Sequence, residues 1–350
     1  VFLLGLKATG QEKKPKAFSY KGGYGFLIPH RKEMQYIGRQ HTQRHEIRYD
    51  RNTFGNQPWH KRYNYPSVST SLTYYSLNNQ TYFGSVLALS SGFTFKLIEK
   101  KRLSFKLGTQ AGLGFVEKPF DAEKNYKNIA IGSQFNVYFF IQPEFAYRFS
   151  PSWELSLSAS FSHFSNTAFA LPNLGINLPH ANLGISRSFG KVKNEVDSLS
   201  VNFKPTAFWG FQFSAGLNEA FPIDGPKYFA TNLSLSRLKR FTPSSSAGLS
   251  ADFFYNPAQK ASLENKNIFI DSGYENLQVG ISLYHRLHFG SFGVWTQAGY
   301  YLKSAQKEWG NLYQMVGVSL DLGSRWLAYC GMKTHLASAE YSMLGIRYEL

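Results

Sequence analysis

The chain has 350 residues, of which 43% are hydrophobic and 17% aromatic, a composition that excludes an intrinsically disordered protein. Its densest apolar cluster, VYFFI at residues 137–141, is far shorter than the roughly 18–20 residues that a membrane-spanning helix needs, so a helical membrane protein is excluded. The single cysteine, Cys330, excludes an internal disulfide framework and a cysteine-rich metal site. The formal net charge of +16 indicates an anionic partner.

The N-terminal segment, VFLLGLKATGQEKK, is a short apolar stretch followed by small and charged residues. Residues 1–19 are interpreted as containing the remnant of a secretory signal peptide, with an ordinary buried strand as the alternative. Basic residues crowd the first quarter of the chain, in QEKKPK, PHRKE, GRQHTQRHEIR and WHKRY. Because no nucleic-acid-binding motif accompanies them, phosphorylated lipid headgroups are favoured over nucleic acid as the partner.

Apolar and polar residues alternate with a period of two along most of the chain. In residues 153–161 the odd positions carry Trp, Leu, Leu, Ala and Phe, whereas the even positions carry glutamate or serine. This pattern predicts a strand with one apolar and one polar face. The same alternation recurs farther along the chain, at residues 209–217, 229–235, 279–286, 316–322 and 344–350.

Three features favour a membrane barrel over a soluble sandwich. The strands often have about ten residues, the length that a tilted membrane-spanning strand requires. Short polar turns such as LNNQ and LGSRW join them, as in an up-and-down meander. Aromatic residues cluster near strand ends, as at a membrane interface: Tyr74, Tyr75, Tyr82, Phe83, Tyr300 and Tyr301. The sequence predicts an all-β fold, a transmembrane up-and-down antiparallel β-barrel of about 14 strands, within a range of about 12–16.

We expect one barrel from residue 20 to residue 350, integral to the bacterial outer membrane. KVKNEVDS at residues 191–198 is interpreted as a polar connector between two strand groups of that barrel, 20–190 and 199–350. No second domain is predicted. Longer polar connections are expected to be extracellular loops, near residues 52–65, 117–131, 166–180 and 256–276.

The strand at residues 153–165 ends in two polar residues on its apolar side. His163 and Ser165 continue the odd series, so both are expected to project from the lipid-facing side, two residues apart. Polar side chains are costly at membrane depth and less so near the interface, which favours an interfacial site. Alternatively, the strand has left the membrane by residue 163 and both side chains face water.

HFSN at residues 163–166, followed by PNLGIN at 172–177, resembles the signature of the PagL family of outer-membrane lipid A 3-O-deacylases. The resemblance implies Ser165 as the nucleophile, His163 as its general base and Asn166 as a contributor to the oxyanion site. The residues that match the family's turn are Pro172, Asn173 and Gly175. A serine hydroxyl becomes a useful nucleophile when a neighbouring base takes its proton, and residues i and i+2 on one strand face are within plausible reach.

One position departs from the family pattern. The family's acidic residue, which orients the histidine, is replaced here by Asn177. An asparagine orients an imidazole without stabilising its positive charge, so slow chemistry, a different acid or no catalysis is expected. The family's barrel has eight strands, so the resemblance extends at most to about residue 190 and leaves the later strands unexplained.

The leading hypothesis is a membrane-embedded serine esterase, a carboxylic ester hydrolase that removes an ester-linked acyl chain from lipid A or lipopolysaccharide at the outer leaflet. The alternative is a catalytically impaired PagL-like barrel that acts as a structural or transport subunit of an outer-membrane complex. The expected partners are lipopolysaccharide, lipid A, other outer-membrane lipids and, under the alternative, other outer-membrane proteins. No nucleic acid, cofactor or metal is expected.

Other polar residues support weaker hypotheses. His41 and His45 have the i, i+4 spacing of helical metal ligands, but their surroundings indicate strand or loop, so metal binding is not favoured. His285 and His288 are expected on opposite faces of one strand, which argues against a shared metal. A solvated or salt-bridged lumen accounts for four charged residues, Asp252, Asp321, Glu154 and Arg286. Four basic residues are interpreted as loop or rim residues near lipid phosphates, or as ordinary surface: Arg31, Lys32, Lys61 and Arg62.

Overall fold

The computed structural model describes most of the chain, in the ranges 15–29, 32–36, 41–77, 79–190, 203–269, 274–306, 308–336 and 338–350. The predicted signal remnant falls mainly on residues 1–14, which lie outside these ranges. In the described part of the chain, no helix is long and apolar enough to cross a membrane.

The first half of the chain forms a closed barrel of eight antiparallel strands. These strands are β1 (Lys16–Phe26), β2 (His41–Asn52), β3 (Ser67–Ser76), β4 (Ser85–Lys100), β5 (Leu103–Val116), β6 (Phe135–Arg148), β7 (Trp153–Ser165) and β8 (Ile176–Phe189). Each strand pairs with the next, and β8 returns to β1 with Lys16 opposite Phe189. A 3-10 helix (Lys32–Met34) follows β1, and helix α1 (Pro58–Arg62) follows β2.

The second half of the chain forms another closed barrel of eight antiparallel strands. These strands are β9 (Thr206–Glu219), β10 (Lys227–Thr242), β11 (Ser245–Tyr255), β12 (Leu277–Phe289), β13 (Phe292–Lys303), β14 (Leu312–Asp321), β15 (Trp326–His335) and β16 (Ser338–Glu349). Here β16 closes onto β9, with Leu344 opposite Ala215. Helix α2 (Ala258–Glu264) lies between β11 and β12.

These elements confirm the predicted fold class, and sixteen described strands fall within the expected range. The expected single barrel over residues 20–350 is corrected to two barrels. KVKNEVDS, at residues 191–198, lies outside the described residues. In the sequence it separates the last strand of the first barrel from the first strand of the second. Alternation shows to which face of a strand each side chain belongs. It does not show how many strands pass before the sheet closes, so one large barrel and two smaller barrels have the same pattern.

The two faces of each strand follow the predicted alternation. Along β7, Leu155 and Leu157 point outward and are 50% and 58% exposed, whereas Ser158, Ser160 and Ser162 are buried inside. An outward apolar face with an inward polar face is the arrangement of a membrane barrel.

Ion pairs and polar networks occupy both barrel interiors. In the first barrel, Glu46 lies between Arg44 and Arg48, with both N–O distances at 2.8 Å. In the second, Asp252 accepts hydrogen bonds from Ser282 and Tyr313, both at 2.6 Å. The other charged residues predicted to face the lumen also form ion pairs there. Glu154 pairs with Lys106, and Arg286 pairs with Asp321.

Connections alternate between the two rims because each strand reverses the direction of the chain. We call the rim that carries the β7–β8 loop the upper rim and the opposite one the lower rim. The predicted extracellular connections near 117–131 and 166–180 share the upper rim of the first barrel. The connection near 52–65 follows β2 and lies at the lower rim, so its grouping with the other loops was wrong.

An aromatic cluster joins the barrels at the lower rim. Phe289, at the end of β12, stacks on Phe93 and on Tyr63, each with ring centroids 4.5 Å apart. The Tyr63 hydroxyl also donates to the carbonyl oxygen of Ser244 at 3.1 Å, and Trp59 meets Phe289 edge-on. Helix α1 and the residue after it, Tyr63, therefore pack against the β10–β11 turn and the end of β12.

Candidate active site

The candidate site lies where β7 ends at the upper rim of the first barrel. Phe164, between His163 and Ser165, points into the barrel, where it is fully buried against Tyr75 and Tyr138. Because neighbouring residues of a strand point to opposite faces, this anchor directs His163 and Ser165 outward. The end of β7 therefore places both polar side chains on the outer side of the barrel, where His163 is half-buried and Ser165 is only 8% exposed.

His163 is hydrogen-bonded across the strand pair to Asn177. Asn177 is the second residue of β8 and the direct register partner of His163. Its Oδ1 lies 2.7 Å from His163 Nδ1. With the amide oxygen as acceptor, Nδ1 carries the ring proton and Nε2 is the unprotonated nitrogen. Asn177 therefore contacts the imidazole directly across the β7–β8 pair.

Gly175 lets the β7–β8 loop pass close to the imidazole. Its φ is 85°, a left-handed conformation, and its N–H donates to the carbonyl oxygen of Ala130 at 2.8 Å. A Cβ atom at this position would lie 2.8 Å from His163 Cε1. Only glycine satisfies both the backbone conformation and this close approach.

Ser165 is held by the loop that follows it. Its Oγ accepts a hydrogen bond from Asn173 Nδ2 at 3.0 Å and lies 3.2 Å from Asn173 Oδ1. The backbone N–H of Thr167 donates to the same Oγ at 3.2 Å. The sequence pattern marked Asn173 only as part of a turn and did not mark Thr167, because a contact made through a loop backbone leaves no periodic signal.

Asn166 closes the loop through its side chain. Its Nδ2 donates to the carbonyl oxygen of Ala170 at 2.7 Å, and its Oδ1 accepts from the Ala170 N–H at 3.4 Å. Its backbone N–H donates to Asn173 Oδ1 at 3.0 Å. The contribution of Asn166 to an oxyanion site stays a prediction, and the N–H of Thr167 contacts the serine oxygen more directly.

The other histidine candidates contact different partners. His41 stacks on Tyr24, and His45 Nδ1 lies 2.7 Å from the Tyr20 hydroxyl. His285 and His288 are hydrogen-bonded to two different serines, Ser245 and Ser246. Within the described ranges, no group of three or more His, Cys, Asp or Glu side chains is arranged to hold a metal ion.

The four basic candidates divide between the rims. Lys61 and Arg62 belong to α1 at the lower rim, away from the site. Lys32 lies in the 3-10 helix at the upper rim, and Arg31 lies outside the described residues. Contact of these residues with lipid phosphates stays a prediction.

Comparison with known proteins divides the chain at the same place as the fold. A family model described as lipid A 3-O-deacylase (PagL) matches residues 43–186, which include the whole site. A second model, described as the C-terminal domain of acyloxyacyl hydrolase, matches residues 207–350, which cover nearly all of the second barrel. A search of curated proteins found no match.

Two solved barrels illustrate the similar structures. Neisserial surface protein A has a TM-score of 0.35 and 9% identity, over 50% of this chain and 97% of its own. A triple mutant of the Rhodopseudomonas blastica porin has a TM-score of 0.19 and 7% identity, over 96% of this chain and 99% of its own.

Proposed function

The chain belongs to the PagL-like family of lipid A deacylases, and on that premise we propose that its first barrel is a serine esterase that removes an ester-linked acyl chain from lipid A or lipopolysaccharide. The observation that carries the proposal is the hydrogen bond of 2.7 Å between His163 Nδ1 and Asn177 Oδ1, on the strand face that also presents Ser165. A serine hydrolase needs a residue that orients the base, a base and a nucleophile, and Asn177, His163 and Ser165 are proposed for these roles.

The reaction follows from the protonation of His163. Asn177 holds the proton on Nδ1, so Nε2 takes the hydroxyl proton of Ser165 as Oγ attacks the ester carbonyl carbon. The imidazolium then protonates the departing alcohol oxygen of the glucosamine as its bond to the acyl carbon breaks. Water hydrolyses the acyl-serine by the same proton transfers in reverse, which releases a fatty acid and regenerates the hydroxyl.

Backbone donors beside Ser165 support stabilisation of the oxyanion. The N–H of Thr167 already points at Ser165 Oγ from 3.2 Å, so it is close to where the carbonyl oxygen of an attacked ester develops its charge. Asn177, by contrast, supplies no charge to the imidazolium. We therefore expect a slower enzyme than one with a carboxylate at residue 177.

The position of the site supports a lipid substrate in the outer leaflet of the outer membrane. His163 and Ser165 face outward, where the acyl chains of a neighbouring lipid lie, and they sit at the rim that carries most of the long loops. The net charge of +16 suits a substrate with phosphorylated headgroups.

The alternative of a transport subunit is not favoured. A transport barrel needs a path through its interior, whereas the first barrel contains the buried Arg44–Glu46–Arg48 network and the buried Lys21–Glu144 pair. Both charge groups are nearly inaccessible to solvent. The features around Ser165 lie on the outside of the barrel, where an esterase acting on lipid needs them.

The test is mass spectrometry of lipid A from cells that express the protein or its variants. The wild type is expected to remove one ester-linked acyl chain, whereas Ser165→Ala and His163→Ala each lower the rate by at least about 10³-fold. Ser156→Ala is the matched control, because Ser156 is on the inward face of β7 and should leave deacylation unchanged. Deacylation by Ser165→Ala at the wild-type rate would exclude this site.

A further inference from the structure

The loop after Ser165 has a backbone conformation that its residues do not favour. The φ angles of Thr167 and Ala168 are 56° and 63°, two consecutive left-handed residues that carry side chains. Such a conformation is costly for an L-amino acid, so surrounding contacts must hold it. Because the Thr167 N–H donates to Ser165 Oγ, movement of this pair of residues also moves an atom that contacts the nucleophile.

The end of β9, in the second barrel, contacts this loop. The backbone N–H of Glu219 donates to the carbonyl oxygen of Ala168 at 2.8 Å. The pairing of β9 with β16 reaches only Ala215, opposite Leu344, so the last four residues of β9 extend beyond that seam. The projecting end of β9 can therefore hydrogen-bond to the first barrel.

The buried side chain of Glu219 fixes a lysine over the same loop. One carboxylate oxygen accepts from the Asp224 N–H at 2.7 Å, and the other forms an ion pair with Lys227. The Lys227 ammonium lies 5.2 Å from the ring centroid of Phe169, a cation–π arrangement. Glu219 and Lys227 thus hold the loop at two successive residues, by the backbone of Ala168 and the ring of Phe169.

We propose that Glu219 and Lys227 are positioning residues for the esterase site, so that the second barrel serves the reaction of the first. The inference rests on the proposed function of Ser165. The two residues act through Ala168 and Phe169, which keep the Thr167 N–H directed at the serine oxygen. Small displacements of catalytic groups lower the rate of a reaction strongly, so loss of this support should lower turnover without weakening the binding of lipid.

The experiment compares charge-removing variants of the full chain, purified in detergent and assayed with lipid A. Lys227→Met and Glu219→Gln remove the ion pair, and Lys227→Arg retains the charge. Lys266→Met is the matched control, since Lys266 forms an ion pair with Glu308 on the same rim of the second barrel. The readouts are kcat, KM and the rate at which a fluorophosphonate labels Ser165.

We expect Lys227→Met and Glu219→Gln to lower kcat and the labelling rate about tenfold, with KM changed by less than about twofold. Lys227→Arg should recover most of the activity, and Lys266→Met should match the wild type. A merely structural lesion would reduce the folded fraction and leave kcat per folded molecule unchanged. Wild-type kcat and labelling rates in both Lys227→Met and Glu219→Gln would overturn the proposal.

Hydrogen exchange in residues 166–175 separates failure of this proposal from failure of the proposed function. Faster exchange in Lys227→Met than in Lys266→Met supports the contact that holds the loop, whether or not the wild type deacylates lipid A. If the wild type is inactive but Lys227→Met exchanges faster than Lys266→Met, the proposed esterase function fails and the contact that holds the loop is still supported. If the wild type is inactive and Lys227→Met exchanges at the same rate as Lys266→Met, both the esterase function and the positioning role of Glu219 and Lys227 are overturned.

Discussion

Asn177 sets the charge around the imidazole of His163, the proposed general base. Its amide oxygen lies 2.7 Å from His163 Nδ1, the distance of a strong hydrogen bond, so the ring is oriented as an acid would orient it. An amide carries no net charge, however, and the imidazolium that the proposed reaction forms would gain little stabilisation from it. A substitution at residue 177 can therefore change the charge beside the imidazole while keeping the hydrogen bond that orients it.

Asn177→Asp should raise turnover. The substitution keeps the size of the side chain and the hydrogen bond to Nδ1 but places a negative charge beside the imidazolium, so we expect a gain of at least about tenfold in kcat. Asn177→Glu adds a further methylene and tests whether the longer glutamate side chain also fits beside the imidazole of His163. Release of fatty acid from purified lipid A measures the effect.

The control is the same substitution in the Ser165→Ala background, where no gain should appear. If Asn177→Asp left kcat of an active wild type unchanged, a different carboxylate would already serve His163, and Asn177 would not be the orienting residue.

Among the elements, β7 combines a lipid-facing surface with the site. Its lower part alternates exposed leucines with inward-facing serines, and near its end His163 and Ser165 place polar side chains on the outer side. The same strand pairs with β6 and β8 along its length, so the direction of every side chain is set by its neighbours. The regularity of the strand explains how two polar side chains can be placed accurately at its end.

Leu157→Lys should destabilise the first barrel because it places a charge on the outward face of β7. At membrane depth we expect the free energy of unfolding to fall by about 2–4 kcal/mol. Phe149→Lys is the control, because Phe149 lies in the β6–β7 turn at the rim, where a lysine should cost about 0–1 kcal/mol. Urea unfolding in lipid vesicles gives both values, and equal values would contradict lipid exposure of Leu157.

At the scale of the whole molecule, two closed barrels contact each other at both rims. The upper contact joins β9 to the β7–β8 loop, and the lower contact is the aromatic cluster around Phe289. Within lipid, no hydrophobic driving force favours association, so packing and hydrogen bonds must supply it. Stacked aromatic rings contribute about 0.5–1.5 kcal/mol for each pair.

Phe289→Ala should weaken the contact between the two barrels without unfolding either one, because it removes the stacking on both Phe93 and Tyr63. Spin labels on cysteines at Lys101 and Gly323, in a Cys330→Ser background, would report a broader distance distribution between the lower rims. The control is Phe241→Ala, since Phe241 is an exposed outward aromatic on β10 with its ring beside Lys239. Equal distributions in Phe289→Ala and the wild type would show that the aromatic cluster does not hold the barrels together.

Local patterns predicted much of the first barrel's site. The odd parity of His163, Ser165 and Asn177 can be read from the chain without knowing any strand pairing, and the turn residues before Asn177 indicate that the chain reverses there. The contacts of Thr167 and Asn173 with the serine could not be predicted in this way. They depend on the path of an irregular loop, which has no period, and on left-handed residues that the sequence does not mark by glycine.

The two-residue period is a property of each strand alone, so it predicts the two faces of a strand and the outward direction of His163 and Ser165 without any knowledge of strand pairing. Closure after eight strands is a property of the tertiary structure, since it depends on hydrogen bonds between β1 and β8 and between β9 and β16. The tertiary structure also brings Glu219 to Ala168. That contact joins residues of different barrels, and its formation depends on how two complete barrels pack rather than on any pattern along one strand.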